Sequence, residues 1–337
     1  MPKTTIIYNP LAGAADFVKA IEDVASDWRG AGWDVSVAPT QAAGHATQLA
    51  EDAAASGCQL VLAAGGDGTL GEIVNGLAES KVIMGILPAG TANSFARELK
   101  MPVPGALQVP VPKSRKKGKL REASDLLISG RVQDMDLGYR MLSDETDSEG
   151  CYWMLWASTG ADGYLVHEVE PRPKWSKKLG WSSYLLQGIS ALSHFSHVRA
   201  EVEVDGYRLQ DDYILVLVSN SRRYAGGVLT LSQEAYLDDG LVEIWLFGGR
   251  GLSSISRHGF RALRGQHLQD PDTILLRGKR VSIVTEPPMP VQMDGDPAQN
   301  TPLECLVKPG ALRLLVPESS PQDLFQRAGI PLLKAIA

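Results

Sequence analysis

A chain of 337 residues is longer than one hydrophobic core organises, so two domains are expected. Its 44% hydrophobic and 21% charged residues match ordinary globular usage and exclude a disordered or coiled-coil protein. The net charge of −6 argues against a general nucleic-acid binder, which needs a positive field to displace counterions. Three cysteines, Cys58, Cys151 and Cys305, are odd in number and have no histidine at zinc-ligand spacing, so buried thiols in a reducing compartment are expected. No apolar run approaches the roughly 18 residues of a membrane span, and the first ten residues lack a signal-peptide core. A cytoplasmic protein that meets membranes only from the side is the expectation.

The first hundred residues alternate between short apolar runs and helical patterns. Strands are predicted at 4–8, 34–38, 59–64 and 82–87, and helices at 14–29, 45–55, 70–78 and 92–99. Strands separated by helices of this length imply a parallel, doubly wound sheet with function at the strands' carboxyl ends. A proline-rich stretch then leads into the basic residues 113–121, which read as a surface connection. After about residue 150 the pattern turns to β, with strands predicted at 152–158, 200–204, 213–219, 242–247, 273–284 and 312–316. One helix is predicted at 175–192. A mostly antiparallel second domain follows, giving 1–140 and 141–317 as the domains. The tail, 321–337, reads as a helix returning to the first domain.

The segment LVLAAGGDGTLGEIVN, 60–75, runs from a buried strand through Gly65, Gly66, Asp67, Gly68 and Thr69 into an amphipathic helix. Glycines allow close backbone approach to a ligand, and the helix start offers unpaired N–H groups and a positive dipole end to phosphate. The loop is neither the Walker pattern nor GxGxxG. Asp67 is the informative residue, because a carboxylate beside phosphates repels them unless a divalent cation intervenes; it reads as organising Mg²⁺. The plainer reading is a tight turn with a capping aspartate. A second crossing, GILPAGTANSFAR at 85–97, puts Thr91 and Asn93 at the next helix start, so that two adjacent loops form one ledge. Asn9, in the turn YNPLAG, and Thr40 lie on the same sheet edge.

Asn9-Pro10, the GGDGT loop, LPAGTAN at 87–93 and the late Asp294-Gly295-Asp296 together resemble the diacylglycerol kinase catalytic-domain family, over residues 4 to about 317 and in the family's order. The resemblance implies an α/β domain with a β-sandwich-like partner and an ATP cleft between them. It also implies phosphorylation of a lipid hydroxyl. Thr40, Thr91 and residues 65–72, Glu72 included, would contact ATP. In YLDDGL, 236–241, Asp239 and the carbonyls of Tyr236 and Leu241 would hold a structural Mg²⁺, whereas by itself the segment also reads as a hairpin turn. The family's late motif is usually Asp-Gly-Glu, whose glutamate is the assigned base. Asp296 stands in that place, one methylene shorter, and Ser94 stands where an aspartate is common. Asp162, in STGADGY, matches a recurrent aspartate that would meet the acceptor.

A lipid substrate has to be reached in a membrane, and RPKWSKKLGWSSYLL at 172–186 combines Arg172, Lys174, Lys177 and Lys178 with Trp175 and Trp181. Such a segment suits peripheral contact with anionic lipid. The basic run at 113–121 would add to it if it shared that face. The alternatives carried forward are a NAD kinase-like phosphotransferase, which shares the loop, and a catalytically inactive nucleotide or lipid sensor, suggested by Asp296 and Ser94. A homodimer is suggested by analogy alone, and the apolar acceptor pocket carries no readable code for the particular lipid.

Overall fold

The computed structural model describes residues 1–12, 18–104, 113–141, 150–169, 192 and 195–336, with 113–117 and 169 described by their backbone alone. In chain order the first elements are β1 (Lys3–Tyr8), α1 (Val18–Gly30), β2 (Asp34–Pro39), α2 (His45–Ala55), β3 (Leu60–Gly65) and α3 (Asp67–Leu77). Next come β4 (Ile83–Pro88), α4 (Ser94–Glu98), α5 (Lys113–Ile128), β5 (Arg131–Met141), β6 (Cys151–Trp153), β7 (Trp156–Gly160) and α6 (Ala161–Val169). They are followed by β8 (Val198–Val204), β9 (Tyr207–Ser219), β10 (Arg223–Tyr224), β11 (Leu229–Thr230), β12 (Val242–Gly248) and α7 (Gly251–Leu263). The chain closes with β13 (Thr273–Gly278), β14 (Arg280–Thr285), β15 (Val291–Met293), β16 (Asp296–Pro297), β17 (Leu303–Val316), β18 (Ile330–Pro331) and α8 (Leu332–Ala335).

The chain forms two compact units. Unit 1 comprises Met1–Asp136, Tyr236–Asp239 and Pro309–Ala337; unit 2 comprises Leu137–Ala235 and Gly240–Lys308. In unit 1 the strand order is β2-β1-β3-β4, followed by the end of β17, and every pairing along this run is parallel, while β18 pairs antiparallel with the start of β5. β3 and β4 are buried at every position, as continuous apolar runs in a helix-covered parallel sheet should be. α2 packs on α3 and α1 on α5.

Unit 2 is antiparallel. One run of strands is β13-β12-β9-β7-β15-β16, and a second is β9-β8-β14 with the start of β17. β9 belongs to both, which gives the sandwich-like arrangement. In β8 the alternation is physical: Val198, Ala200, Val202 and Val204 point into a core that includes Trp153, Val216, Ile244, Leu246 and Ile283.

Several expectations are corrected. The basic stretch at 113–121 is not a connection but the first half of helix α5, whose Leu120, Ala123 and Leu127 are buried at helical spacing. Trp28 Nε1 donates to Ser124 Oγ at 2.9 Å, and Arg121 pairs with Asp27 at 2.7 Å, so α5 is fastened to α1. The tail is not one helix: Pro321, Gly329 and Pro331 leave a short turn at Gln322–Leu324, then β18 and the four-residue α8. The predicted strand at 273–284 is two strands, because the chain turns at Gly278, where a Cβ would stand 2.4 Å from Val204 Cγ1. Asp205 accepts the N–H groups of Lys279 and Arg280 at 3.0 and 2.9 Å, which fixes that turn. α6 and α7 were not expected as helices, and the helix predicted at 175–192 falls almost wholly outside the described residues. No helix of the described residues is long and apolar enough to cross a membrane.

Candidate active site

The carboxyl edge of the unit 1 sheet is built from four consecutive strand ends. Chain order against strand order places β1 between β2 and β3, so the crevice at the ends of β1 and β3 is the topological switch point where ligands of such sheets bind. Asn9 leaves β1 there; its N–H reaches the Ala64 carbonyl at 3.1 Å and its Oδ1 accepts from Leu11 N–H at 2.9 Å. Thr40 leaves β2 with its N–H on the Tyr8 carbonyl at 2.8 Å.

The loops after β3 and β4 touch backbone to backbone. A Cβ on Gly90 would lie 2.4 Å from Gly66 Cα, and one on Gly65 would lie 2.5 Å from Thr69 Cβ. Only glycine fits either place. The N–H groups of Ala89 and Gly90 both meet the Gly65 carbonyl, at 2.9 and 3.2 Å, so the second loop hangs on the first. Gly66 caps α3, and the first bond closing the helix runs from Leu70 N–H to the Gly66 carbonyl at 3.1 Å. The N–H groups of Asp67, Gly68 and Thr69 therefore have no carbonyl within the helix to bond, which is the usual anion-binding end. Gly68 and Thr91 are exposed, whereas Thr69 is buried.

Three of the polar candidates shape this edge through their own hydrogen bonds. Asn93, at φ 51°, locks the second loop: its Oδ1 accepts from Gly90 N–H and its Nδ2 donates to the Gly90 carbonyl, both at 2.8 Å. Glu72 accepts the N–H of Ala46 at 3.1 Å in the first turn of α2. Asp67 accepts from Ser94 and Phe95 N–H at 3.0 and 3.4 Å, so it caps α4 rather than its own helix. Burial is the largest influence on its carboxyl and raises it above the ordinary value, against the lowering effect of those N–H bonds.

In unit 2, β15 and β16 form a two-residue hairpin whose Asp294 and Gly295 both have positive φ, 50° and 92°. The Asp294 carboxylate accepts the N–H groups of Met154, Leu155 and Trp156 at 2.7, 2.8 and 3.1 Å. Asp296 follows at the exposed start of β16, opposite Met293. Asp162 opens α6, its carboxylate bonded by the hydroxyls of Ser158 and Tyr224, by Gln292 Nε2 at 3.2 Å and by Gly163 N–H at 2.6 Å. Burial, its largest influence, pushes this carboxyl up as well. Ser158, Tyr224, Gln292 and Asp294 were not assigned roles from sequence, although Ser158 stood within the STGADGY segment and Asp294 within the Asp294-Gly295-Asp296 motif already singled out.

The segment 236–239 belongs to unit 1, and Leu241 to unit 2. Asp238 is buried and accepts from Gln326 and Arg327 N–H at 2.7 and 2.9 Å, while Leu237 N–H reaches the Leu324 carbonyl at 2.8 Å. Hard oxygens of the kind found at Tyr236, Asp239 and Leu241 are the donors Mg²⁺ takes. Among the described residues, no three His, Cys, Asp or Glu side chains gather into a metal-binding cluster. The segment 172–186 lies outside the described residues, as do the side chains at 113–117.

Residues 3–139 match the diacylglycerol kinase catalytic domain, and residues 157–316 match the YegS C-terminal NAD kinase beta sandwich-like domain. A diacylglycerol kinase of Bacillus subtilis (strain 168) is 29% identical over 326 residues, 96% of this chain and 99% of its own. One from Staphylococcus carnosus (strain TM300) is 29% identical over 296 residues, 87% of this chain and 88% of its own. The crystal structure of a diacylglycerol kinase from Bacillus anthracis str. Sterne superposes with a TM-score of 0.68 at 23% identity, covering 94% of this chain and 97% of its own. Yeast NADH kinase complexed with NADH superposes with a TM-score of 0.51 at 10% identity, covering 96% and 85%. These two likenesses speak for the fold. With residues 3–139 and 157–316 matched in order, the chain pairs a diacylglycerol kinase catalytic-domain match with a YegS C-terminal NAD kinase beta sandwich-like match, and it is an enzyme of the lipid kinase group.

Proposed function

We propose that this protein transfers the γ-phosphoryl group of ATP to the hydroxyl of a diacylglycerol-like lipid, with Mg²⁺ as the required cation. The observation that carries the reading is the backbone contact of the Gly66 and Gly90 loops at the switch point, beside the N-terminus of α3. There the first-turn N–H groups of α3, with Thr69 and Thr91, would hold phosphate oxygens, and Asn9, Thr40 and Glu72 would border the nucleotide. Asp67 keeps the second loop in register with the first through Ser94 and Phe95.

When bound, Mg²⁺ supplies positive charge to the β and γ oxygens; Asp67 is the carboxylate nearest that role, and Asp239 with the Tyr236 and Leu241 carbonyls would hold a structural ion. Asp162 would orient the acceptor and Asp296 would take its hydroxyl proton. The new bond joins the acceptor oxygen to the γ-phosphorus, the bond to the β–γ bridging oxygen breaks, and ADP leaves. Encounter with the bilayer is proposed to use residues 172–186, and a homodimer remains part of the proposal.

The test is label transfer from γ-labelled ATP with Mg²⁺ to a panel of diacylglycerol, phosphatidylglycerol and a sphingoid base in mixed micelles, with NAD as a further acceptor. Label in diacylglycerol supports the reading. Label in NADP moves the activity to a NAD kinase-like reaction, and ATP binding without any transfer identifies a sensor.

A further inference from the structure

Gln292 is buried, 2% exposed, on the short strand β15, and each of its amide atoms has a partner on a different part of unit 2. Nε2 donates to Ser158 Oγ on β7 at 2.5 Å and to Asp162 Oδ2 in α6 at 3.2 Å. Oε1 accepts the N–H of Gly295, in the hairpin turn, at 2.8 Å. The Ser158 hydroxyl donates in turn to Asp162, as does the Tyr224 hydroxyl, and Gly163 N–H supplies the other carboxylate oxygen at 2.6 Å. An apolar residue of similar length would fill the same space at no desolvation cost, whereas a buried amide is tolerated only when bonded. A satisfied network of this kind fixes geometry more than it adds stability.

Gly295 directly precedes Asp296, so the turn that presents Asp296 is pinned twice. Asp294 ties it to the N–H groups of Met154, Leu155 and Trp156, and Gln292 ties it to Asp162. We infer that Gln292 is a positioning residue, which sets the hairpin carrying Asp296 relative to the Asp162 carboxylate. The inference rests on the proposed roles of those two aspartates, as base and as acceptor anchor. Displacing a reacting group by about 1 Å can cost on the order of 100-fold in rate, so a tie of this kind bears on turnover rather than on nucleotide affinity.

The test is a rate cycle with γ-labelled ATP and diacylglycerol micelles on wild type, Gln292→Met, Asp296→Asn and the double variant. Gln292→Met is expected to lower kcat about tenfold or more while KM for ATP stays within about twofold. The double variant is expected to be no slower than Asp296→Asn within about twofold, because Gln292 acts through Asp296. Gln292→Asn, which carries the same amide one methylene short, is held to the same two expectations if circular dichroism shows the Met variant unfolded. A kcat within about twofold of wild type, or a double variant slower than Asp296→Asn by the full single-variant factor, would overturn the inference and leave the kinase assignment standing. Asp296→Asn turning over at the wild-type rate would remove the assignment of Asp296 and this inference with it.

Discussion

Gly90→Ala is the sharpest perturbation of the proposed phosphate ledge. The added Cβ would stand 2.4 Å from Gly66 Cα, about 1 Å short of the closest ordinary carbon contact of about 3.5 Å. Both partners are backbone, so no side-chain rotation relieves the clash and the two loops have to part by about that distance. Overpacking of this kind costs about 1–3 kcal/mol of stability. The larger effect is on positioning, where a shift of about 1 Å corresponds to roughly 100-fold in kcat/KM, or about 2.7 kcal/mol of barrier. Gly259→Ala is the matched control: it lies in α7, away from the ledge, its Cβ meets nothing within 4 Å, and replacing a mid-helix glycine gains about 0.5–1 kcal/mol. Steady-state label transfer and thermal melts on both variants decide the matter. A Gly90→Ala enzyme that turns over within about threefold of wild type would refute the argument that the two loops form one phosphate-binding surface.

The other expectations concern carboxylates. Asp296→Asn should lose at least about 100-fold in kcat with little change in melting temperature, since the side chain is exposed on β16; a melt shifted as far as the rate would point to a structural role. Asp294→Ala leaves three backbone N–H groups, of Met154, Leu155 and Trp156, without their acceptor, and should cost about 3 kcal/mol or more in denaturant unfolding; a change under about 1 kcal/mol would contradict the pinning described. Asp67 holds its proton to higher pH in the folded than in the unfolded chain, so its contribution to stability is full below the unfolded value near 3.9 and falls as pH rises through the raised folded value. Asp67→Asn removes that dependence, and the stability gap between wild type and variant should narrow with rising pH over that window; a gap that widens would show the carboxyl to be lowered instead.

Much of unit 1 was legible because each of its strands is a short apolar run closed by a turn signal. The predicted bounds of α2 were those observed, and β3 and β4 moved by a single residue at each end. α3 begins at Asp67 rather than at Leu70, because GDGT looks like loop composition while the backbone already turns helically there. α5 was hidden by its own charge: Lys and Arg mask the buried Leu120, Ala123 and Leu127, which mark a helix only when read at intervals of three and four. The tail carried Leu and Ala enough for a helix but also two prolines and a glycine that end it repeatedly.

The site divides in the same way. The glycines' place was legible, since a strand-to-helix turn rich in glycine lets backbone approach backbone, as Gly66 and Gly90 do. The side-chain roles were not: Asp67 caps a helix in the next βα unit, and the Asp162 network gathers Ser158, Tyr224 and Gln292 from β7, β10 and β15. Apart from Ser158, four residues from Asp162, these contacts join residues 27 to 130 positions apart and leave no periodicity to read. In the pair Asp238-Asp239, only the structure distinguishes the residue engaged by Gln326 and Arg327 from its neighbour.

The most direct test of the account follows label from γ-labelled ATP into the lipid phase with wild type and Asp296→Asn in parallel, with ATP binding measured on both. Labelled diacylglycerol is expected with wild type, and in the variant retained ATP binding with the lipid label reduced at least about 100-fold. Label confined to inorganic phosphate with wild type, or undiminished lipid label in the variant, would contradict it.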